Sequence, residues 1–376
     1  MLSTILTLVI ALLSLIALMV IHEFGHFIVA KKFGVQVEEF GIGYPPRLFG
    51  RKIGETIYSV NLIPLGAFVR IKGEEGGVDD YRSFSNLKIW KRVLIVIGGV
   101  VAFWIASIII FSVVFAIGAN IPVGDQDLPS SATAKVVIAD VAQNSPAETA
   151  GIKAGDVVLK ASFAKEVLKI NKIKDFQDFT KSHTSEQIVL TVERGGETFD
   201  MPVKLRDIAP AGQGLVGVSL ERIATLIEKY PWYRAPVQGA AYTWDITIKS
   251  LQGLYQILAD LFSGKGVPQG AEFAGPLGIT VFLARAADFG AGFFLYFIGS
   301  ISVFIAIFNL FPIPALDGGK LVFLAIEKIM KKPVPVKVEQ SITVIFFFIL
   351  ISLSLFVTVR FDIPRFSEFL KSSLQK

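Results

Sequence analysis

Residues 21–34 read "IHEFGHFIVAKKFG". They hold His22 and His26, two of the chain's three histidines, four positions apart, with Glu23 beside the first. The 21 residues from Met1 to Ile21 carry no charge. An α-helix needs about 20 mostly apolar residues to cross a bilayer. Titratable side chains therefore stand at the end of a segment suited to lipid. A charge at mid-membrane costs roughly 2.5–3.5 kcal/mol on insertion scales. Ionisable residues in that setting mark function by default.

The rest of the chain has the same character. It is 52% hydrophobic and only 18% charged, with a mean hydropathy of +0.59, too apolar for an ordinary soluble protein of 376 residues. Four stretches are long enough to span: Met1 to Ile21, continuing through the histidines; Val93 to about Ala119; Phe289 to Leu316; and Ser341 to Val359. The first lacks the basic start and small-residue cleavage site of a secretory signal, so it is expected to be retained. The chain has no cysteine, which excludes disulfides and thiolate chemistry. Lysine and arginine number 11 in residues 31–92 and five in 320–337. Positive loops stay in the cytoplasm. Both termini and the long 120–288 segment are then extracytoplasmic, with Arg360, Arg365, Lys371 and Lys376 in the tail as a mild counter-signal. The basic loops show no aromatic interleaving, and no nucleic-acid partner is expected; lipid headgroups suit them.

The 120–288 segment divides in two. Residues 132–220 alternate strand-like runs with turns, ending in a hairpin over "EQIVLTVERGGETFDMPVKL" with Gly195-Gly196 at its tip. "NSPAETAGIKAGD" reads as a short helix opened by Ser145-Pro146 and closed near Gly151. Further on, Trp244, Ile248, Leu251, Tyr255, Leu258 and Phe262 share one helical face. That stripe is either a buried core face or an interfacial helix on the outer leaflet. His183 is expected in a solvated loop and has no assigned role.

On a helix, residues four apart share a face, so His22 and His26 can present two imidazoles to one ion. Glu23 lies about 100° round the axis from His22. It is poorly placed as a ligand and well placed as a base. This is the H-E-x-x-H arrangement of two zinc ligands and a general base. A catalytic zinc takes three protein ligands. Asp317 is the candidate, within "NLFPIPALDGG" (Asn309 to Gly319). It is the first acidic residue after Asp288 and ends an apolar run broken by prolines and glycines. Alone it would equally serve as a capping residue.

Together, HEFGH in a first membrane helix and N-x-x-P-x-P-x-L-D-G in a later one resemble the site-2 protease family of intramembrane zinc metalloproteases. "SPAETAGIKAGDVVL" resembles a circularly permuted bacterial PDZ domain, and its placement between helices two and three is similar to the RseP-type branch. "EEFGIGYPPRLFG" and "YSVNLIPLGAFVRIKGE" resemble that branch's membrane re-entrant β-hairpin, about residues 37–72. Where the best-known members carry two PDZ domains, this chain has room for one.

The resemblance implies a polytopic α-helical membrane protein with four transmembrane helices, a re-entrant β-hairpin and an inserted extracytoplasmic PDZ-like α/β domain. The expected divisions are 1–119, the first membrane half; 120–222, the PDZ-like domain; 223–288, amphipathic extracytoplasmic helices; and 289–376, the second membrane half. One Zn²⁺ per chain would be held by His22, His26 and Asp317, with Glu23 as catalytic base. Asn309 would hydrogen-bond the substrate backbone or oxyanion, or else make a helix–helix contact. Gly41 and Gly43 would lie on an unpaired strand edge that binds substrate. The implied substrates are single-span membrane proteins, such as anti-sigma factors or remnant signal peptides, in the bacterial inner membrane. The active site would lie near the cytoplasmic side. The PDZ-like domain would exclude bulky outer domains or take a C-terminal peptide. A membrane-anchored PDZ adaptor with a vestigial metal motif is the alternative, separated by metal content; a transporter fits less well, for lack of paired repeats.

Overall fold

The computed structural model describes residues 2–74, 80–118, 120–122, 133–210, 213–225, 229–264 and 273–374. Helix α1 (Leu2–Lys32) carries the uncharged run straight through the histidines and ends at Lys31 and Lys32, where cations suit the negative end of the helix dipole. A long hairpin follows, strands β1 (Val37–Ile53) and β2 (Thr56–Ile71). Helix α2 (Ile89–Ile117) then packs along α1. Its backbone meets that of α1 closely, because a side chain on Gly25 would collide with the Gly98 carbonyl. Small residues permit such approach between apolar helices, where no water drives association.

The hairpin is folded back on itself. Residues 47–53 pair antiparallel with 56–61, and 37–42 pair antiparallel with 67–71. Residues 39–42 also pair with 57–60, so this stretch has a neighbour on each side. The outer side of 67–71 pairs with no other strand among the described residues. Leu48, Phe49, Ile53 and Leu62 project outward and are exposed.

Beyond α2 comes an α/β unit. Strands β3 (Asn120–Pro122), β4 (Thr133–Val141), β5 (Val157–Phe163), β6 (Glu166–Lys169), β7 (Gln187–Arg194), β8 (Glu197–Lys204) and β9 (Val218–Thr225) form one sheet in the order β3-β9-β4-β5-β7-β8, with β6 on β5. The β7–β8 hairpin turns at Gly195-Gly196 as expected. The short helix α3 (Pro146–Thr149) is capped by Ser145, whose hydroxyl accepts from the Glu148 amide at 3.1 Å. Helix α4 (Ile173–Ser182) covers the sheet with Phe176 and Phe179, in a core with Ile138, Leu190 and Val203. His183 is packed rather than solvated: its ring lies against Phe163 and Phe179, and Nδ1 donates to the Phe179 carbonyl at 2.8 Å. Strand β9 runs to Thr225, past the expected boundary at 222.

Helix α5 (Ala235–Phe262) packs on α2, but not through its apolar stripe. Its buried residues are Ala235, Gly239, Thr243 and Thr247, while Trp244, Tyr255 and Phe262 are 70%, 74% and 90% exposed. The buried-core reading of that stripe is therefore overturned. Helix α6 (Pro276–Asp288) lies buried against α1 and the helix that follows, α7 (Ala291–Asn309). Ser107 and Ser302 bond across the α2–α7 contact to the Gly299 and Phe103 carbonyls.

The expected span Phe289 to Leu316 is broken. α7 stops at Asn309, a turn occupies 310–316, and α8 (Asp317–Met330) begins at the aspartate. Pro312 and Pro314 cannot continue the helical hydrogen bonding. Helix α9 (Val336–Val357) buries none of its residues and runs through a π-helical turn into α10 (Ile363–Leu374). Four helices are long and apolar enough to cross a membrane: Ile5–Lys32, Ile89–Ile117, Ala291–Asn309 and Val336–Ser367.

Candidate metal centre

The i, i+4 spacing on α1 brings the His22 and His26 rings edge to face, with centroids 4.7 Å apart. His26 Nδ1 lies 2.9 Å from the Ile95 carbonyl on α2. A carbonyl only accepts, so Nδ1 carries the proton and Nε2 presents its lone pair. That Nε2 stands 3.3 Å from His22 Nε2. The break after α7 turns the chain so that Asp317 joins them, its Oδ2 at 3.5 Å from each Nε2. These three form a candidate metal-binding group among the described residues.

The donors fit zinc in kind and in spacing. A tetrahedral site with arms of about 2.0–2.1 Å has edges of about 3.3–3.4 Å; the three edges here are 3.3, 3.5 and 3.5 Å. Asp317 Oδ2 is buried yet has no hydrogen-bond partner, and His22 Nδ1 is also buried without one. Orphaned buried polar atoms are rare in native folds and call for an explanation. An ion bound by Oδ2 would explain the first.

Two residues of α2 that the sequence reading missed complete the centre. Phe103 is stacked on the His22 ring at 4.6 Å between centroids. Gly99 forms the floor, where any side chain would collide with both imidazoles. "IGGVVAF" carries no sign of this, because glycine in an apolar helix reads as helix packing.

Glu23 is partly buried and lies against the backbone of Val69 on β2. Asn309 ends α7 with its amide donating to the Ile305 carbonyl one turn back at 3.0 Å, a bond within its own helix. Gly41 and Gly43 do not lie on a free edge. Gly41 pairs with both Phe68 and Ser59, and the Gly43 carbonyl accepts from the Asn61 amide at 3.1 Å. The fold-back of β2 covers that side and moves the edge to residues 67–71, beside Glu23.

The family model for "Peptidase family M50" matches residues 10–353. The chain belongs to this family, the site-2 proteases, and is a metalloprotease. It is 34% identical over 350 residues to a Clostridium perfringens protein with a provisional zinc-metalloprotease name, covering 93% of this chain and 96% of the relative. A Clostridium acetobutylicum protein named in the same way is 30% identical over 354 residues, 94% and 96% of the two chains. The "Zinc metalloprotease RasP" of Geobacillus kaustophilus is 25% identical over 431 aligned positions, 93% and 96% of the two chains.

Proposed function

We propose that this protein is an intramembrane zinc metalloprotease that hydrolyses peptide bonds within the transmembrane segments of single-span membrane proteins, in the manner of regulated intramembrane proteolysis. The observation that carries the reading is the triangle of His22 Nε2, His26 Nε2 and Asp317 Oδ2, built at the level of helices apolar enough to span. These residues would hold one Zn²⁺ per chain. When bound, zinc supplies Lewis acidity that polarises the scissile carbonyl and makes a water acidic near neutral pH.

The chain's own groups do the rest. Glu23 takes the proton from the attacking water and returns it to the departing amine. His26, fixed through Nδ1 to the α2 backbone, keeps its tautomer throughout. A membrane helix hides its peptide bonds in its own hydrogen bonds and must unwind before it can be cut. Residues 67–71 offer replacement bonds by strand addition, directly beside Glu23. Asn309 has two amide hydrogens and spends one on Ile305, leaving the other for a substrate carbonyl.

The β1–β2 hairpin is read as membrane re-entrant, supported by its exposed apolar residues. The α/β unit of 120–225 is read as an extracytoplasmic PDZ-like domain that admits substrates by size or takes a C-terminal peptide. By the positive-inside rule, the basic loops support a reading with both termini outside a bacterial inner membrane and the active site near the cytoplasmic side. Glu23→Gln tests the core of the proposal. It should bind zinc normally and capture single-span substrates, while cleavage stops within assay limits, as chelator stops it in the native protein. Cleavage near the native rate in this variant would refute the assigned mechanism.

A further inference from the structure

Helix α8 presents Asp317 from its first residue. Its buried residues are Gly318, Gly319 and Leu324, and Leu321 packs with Leu324 against the apolar cluster of Val96 and Ile71. Apolar packing of this kind is not directional, and two ion pairs add to it. Near its far end, Glu327 takes a bidentate bond from Arg92 on α2: Nη1 donates to Oε2 at 3.0 Å, and Nη2 donates to Oε1. Both side chains are largely buried, 10% exposed for Arg92 and 19% for Glu327. One turn from Asp317, Lys320 pairs at 2.6 Å with Glu74, three residues beyond the end of β2. The buried Phe84 ring lies near both cations, 5.2 Å from Lys320 Nζ and 6.0 Å from Arg92 Cζ.

We propose that Arg92–Glu327 and Lys320–Glu74, both packed against Phe84, are positioning pairs that set the register of α8 and so the place of Asp317. This rests on the reading of Asp317 as a zinc ligand. Three arguments support it. A buried ion pair adds little net stability compared with apolar packing, and its best-attested use is to specify register. A bidentate Arg–carboxylate fork is directional, which a lysine or an apolar contact is not. The anchors also lead to the right places. Arg92 belongs to α2, which carries Gly99 and Phe103 against the imidazoles, and Glu74 lies in the turn that follows the strand proposed to hold substrate. One short helix is thus referred both to the ligand-bearing core and to the substrate edge.

The test is zinc affinity of the full chain, measured by competition with a chromophoric chelator well below the melting temperature, with circular dichroism as the check on folding. Arg92→Met and Glu327→Gln should each weaken zinc binding measurably, by up to the roughly tenfold lost when a group bonded directly to a ligand is removed. The charge exchange Arg92→Glu with Glu327→Arg should restore most of the loss, and Lys320→Met should act in the same direction as the singles. A merely structural pair would lower the melting temperature and leave zinc affinity unchanged in the folded protein. Glu327→Gln keeps the size of the side chain and serves if Arg92→Met does not fold. Native zinc affinity in both singles, with zinc lost in Asp317→Ala, would overturn the positioning role alone. Loss in the singles with no recovery in the exchange would also overturn it, as a folding defect. Zinc retained in Asp317→Ala would instead remove the ligand assignment, and the pairs would have nothing to position.

Discussion

Gly99 shows how finely the centre is set. Its α-carbon faces the edges of both imidazoles, and a β-carbon there would meet His26 Nε2 and Cε1 and His22 Cε1. These belong to held rings rather than flexible chain ends, since His26 is tied to the Ile95 backbone and His22 is stacked on the Phe103 ring. Gly99→Val should leave α2 helical, because valine suits a membrane helix, but should displace the nitrogens by more than a metal–ligand bond tolerates. The expected outcome is zinc content falling from about one per chain to a small fraction, read by elemental analysis, with the helical circular dichroism unchanged. Full zinc content in that variant would mean that Gly99 does not bound the site. HEFGH itself was legible because it encodes a local geometry, two side chains one helical turn apart. Gly99 was not, because its role depends on which helix lies against it.

The β1–β2 hairpin carries the next prediction. In an edge strand, alternate residues turn their backbone groups outward, and proline is tolerated where the lost N–H faced away from the sheet. The Val69 backbone faces Glu23. Val69→Pro should therefore preserve the pairing of 67–71 with 37–42 while removing one donor at the substrate edge and the tether of the base. Zinc content should be unchanged and kcat/KM for a single-span substrate should fall by roughly tenfold or more, the scale of a lost hydrogen bond to a charged group. Unchanged kcat/KM would place the substrate elsewhere. The sequence placed this edge at Gly41 and Gly43. It missed because a run such as "FGIGYPP" shows irregular backbone but not its neighbours, and the return of β2 supplies one on each side.

The α/β unit is seated on the helices rather than hung from them. Val137 and Ile223 of its sheet pack with Ala286 of α6 and Phe293 of α7, and Arg285 bonds to Asp140 at 2.6 Å. α6 in turn packs on α1, the helix that carries the histidines. The unit contributes nothing to the triangle of donors and acts, in the proposed reading, on what reaches them. Replacing residues 123–228 by a short Gly/Ser linker should keep zinc content and cleavage of a substrate already trimmed on its outer side. It should also permit cleavage of a full-length substrate whose folded outer domain the native protein excludes. Residues flanking the cut, mapped by mass spectrometry, should be the same in both. If the folded, zinc-loaded variant rejects both substrates, the unit is part of the binding site and the gate reading fails.

Features of local origin could be read from the amino acids alone. Apolar length gave the four spans, helical spacing gave His22 and His26, and turn chemistry gave the Gly195-Gly196 hairpin and the Ser145 cap. Asp317 could be picked out because an acid at the broken end of an apolar run is conspicuous. What required the folded chain was every relation across distance: the interior place of Gly41, the floor at Gly99, the anchors of α8, and the face that α5 turns inward. The last of these has a general cause. The stripe rule assumes that water drives large apolar side chains to the core. Beside an apolar helix that drive is weak, and close packing of small residues decides instead, so α5 buries Gly239, Thr243 and Thr247 and leaves Trp244 and Phe262 outside.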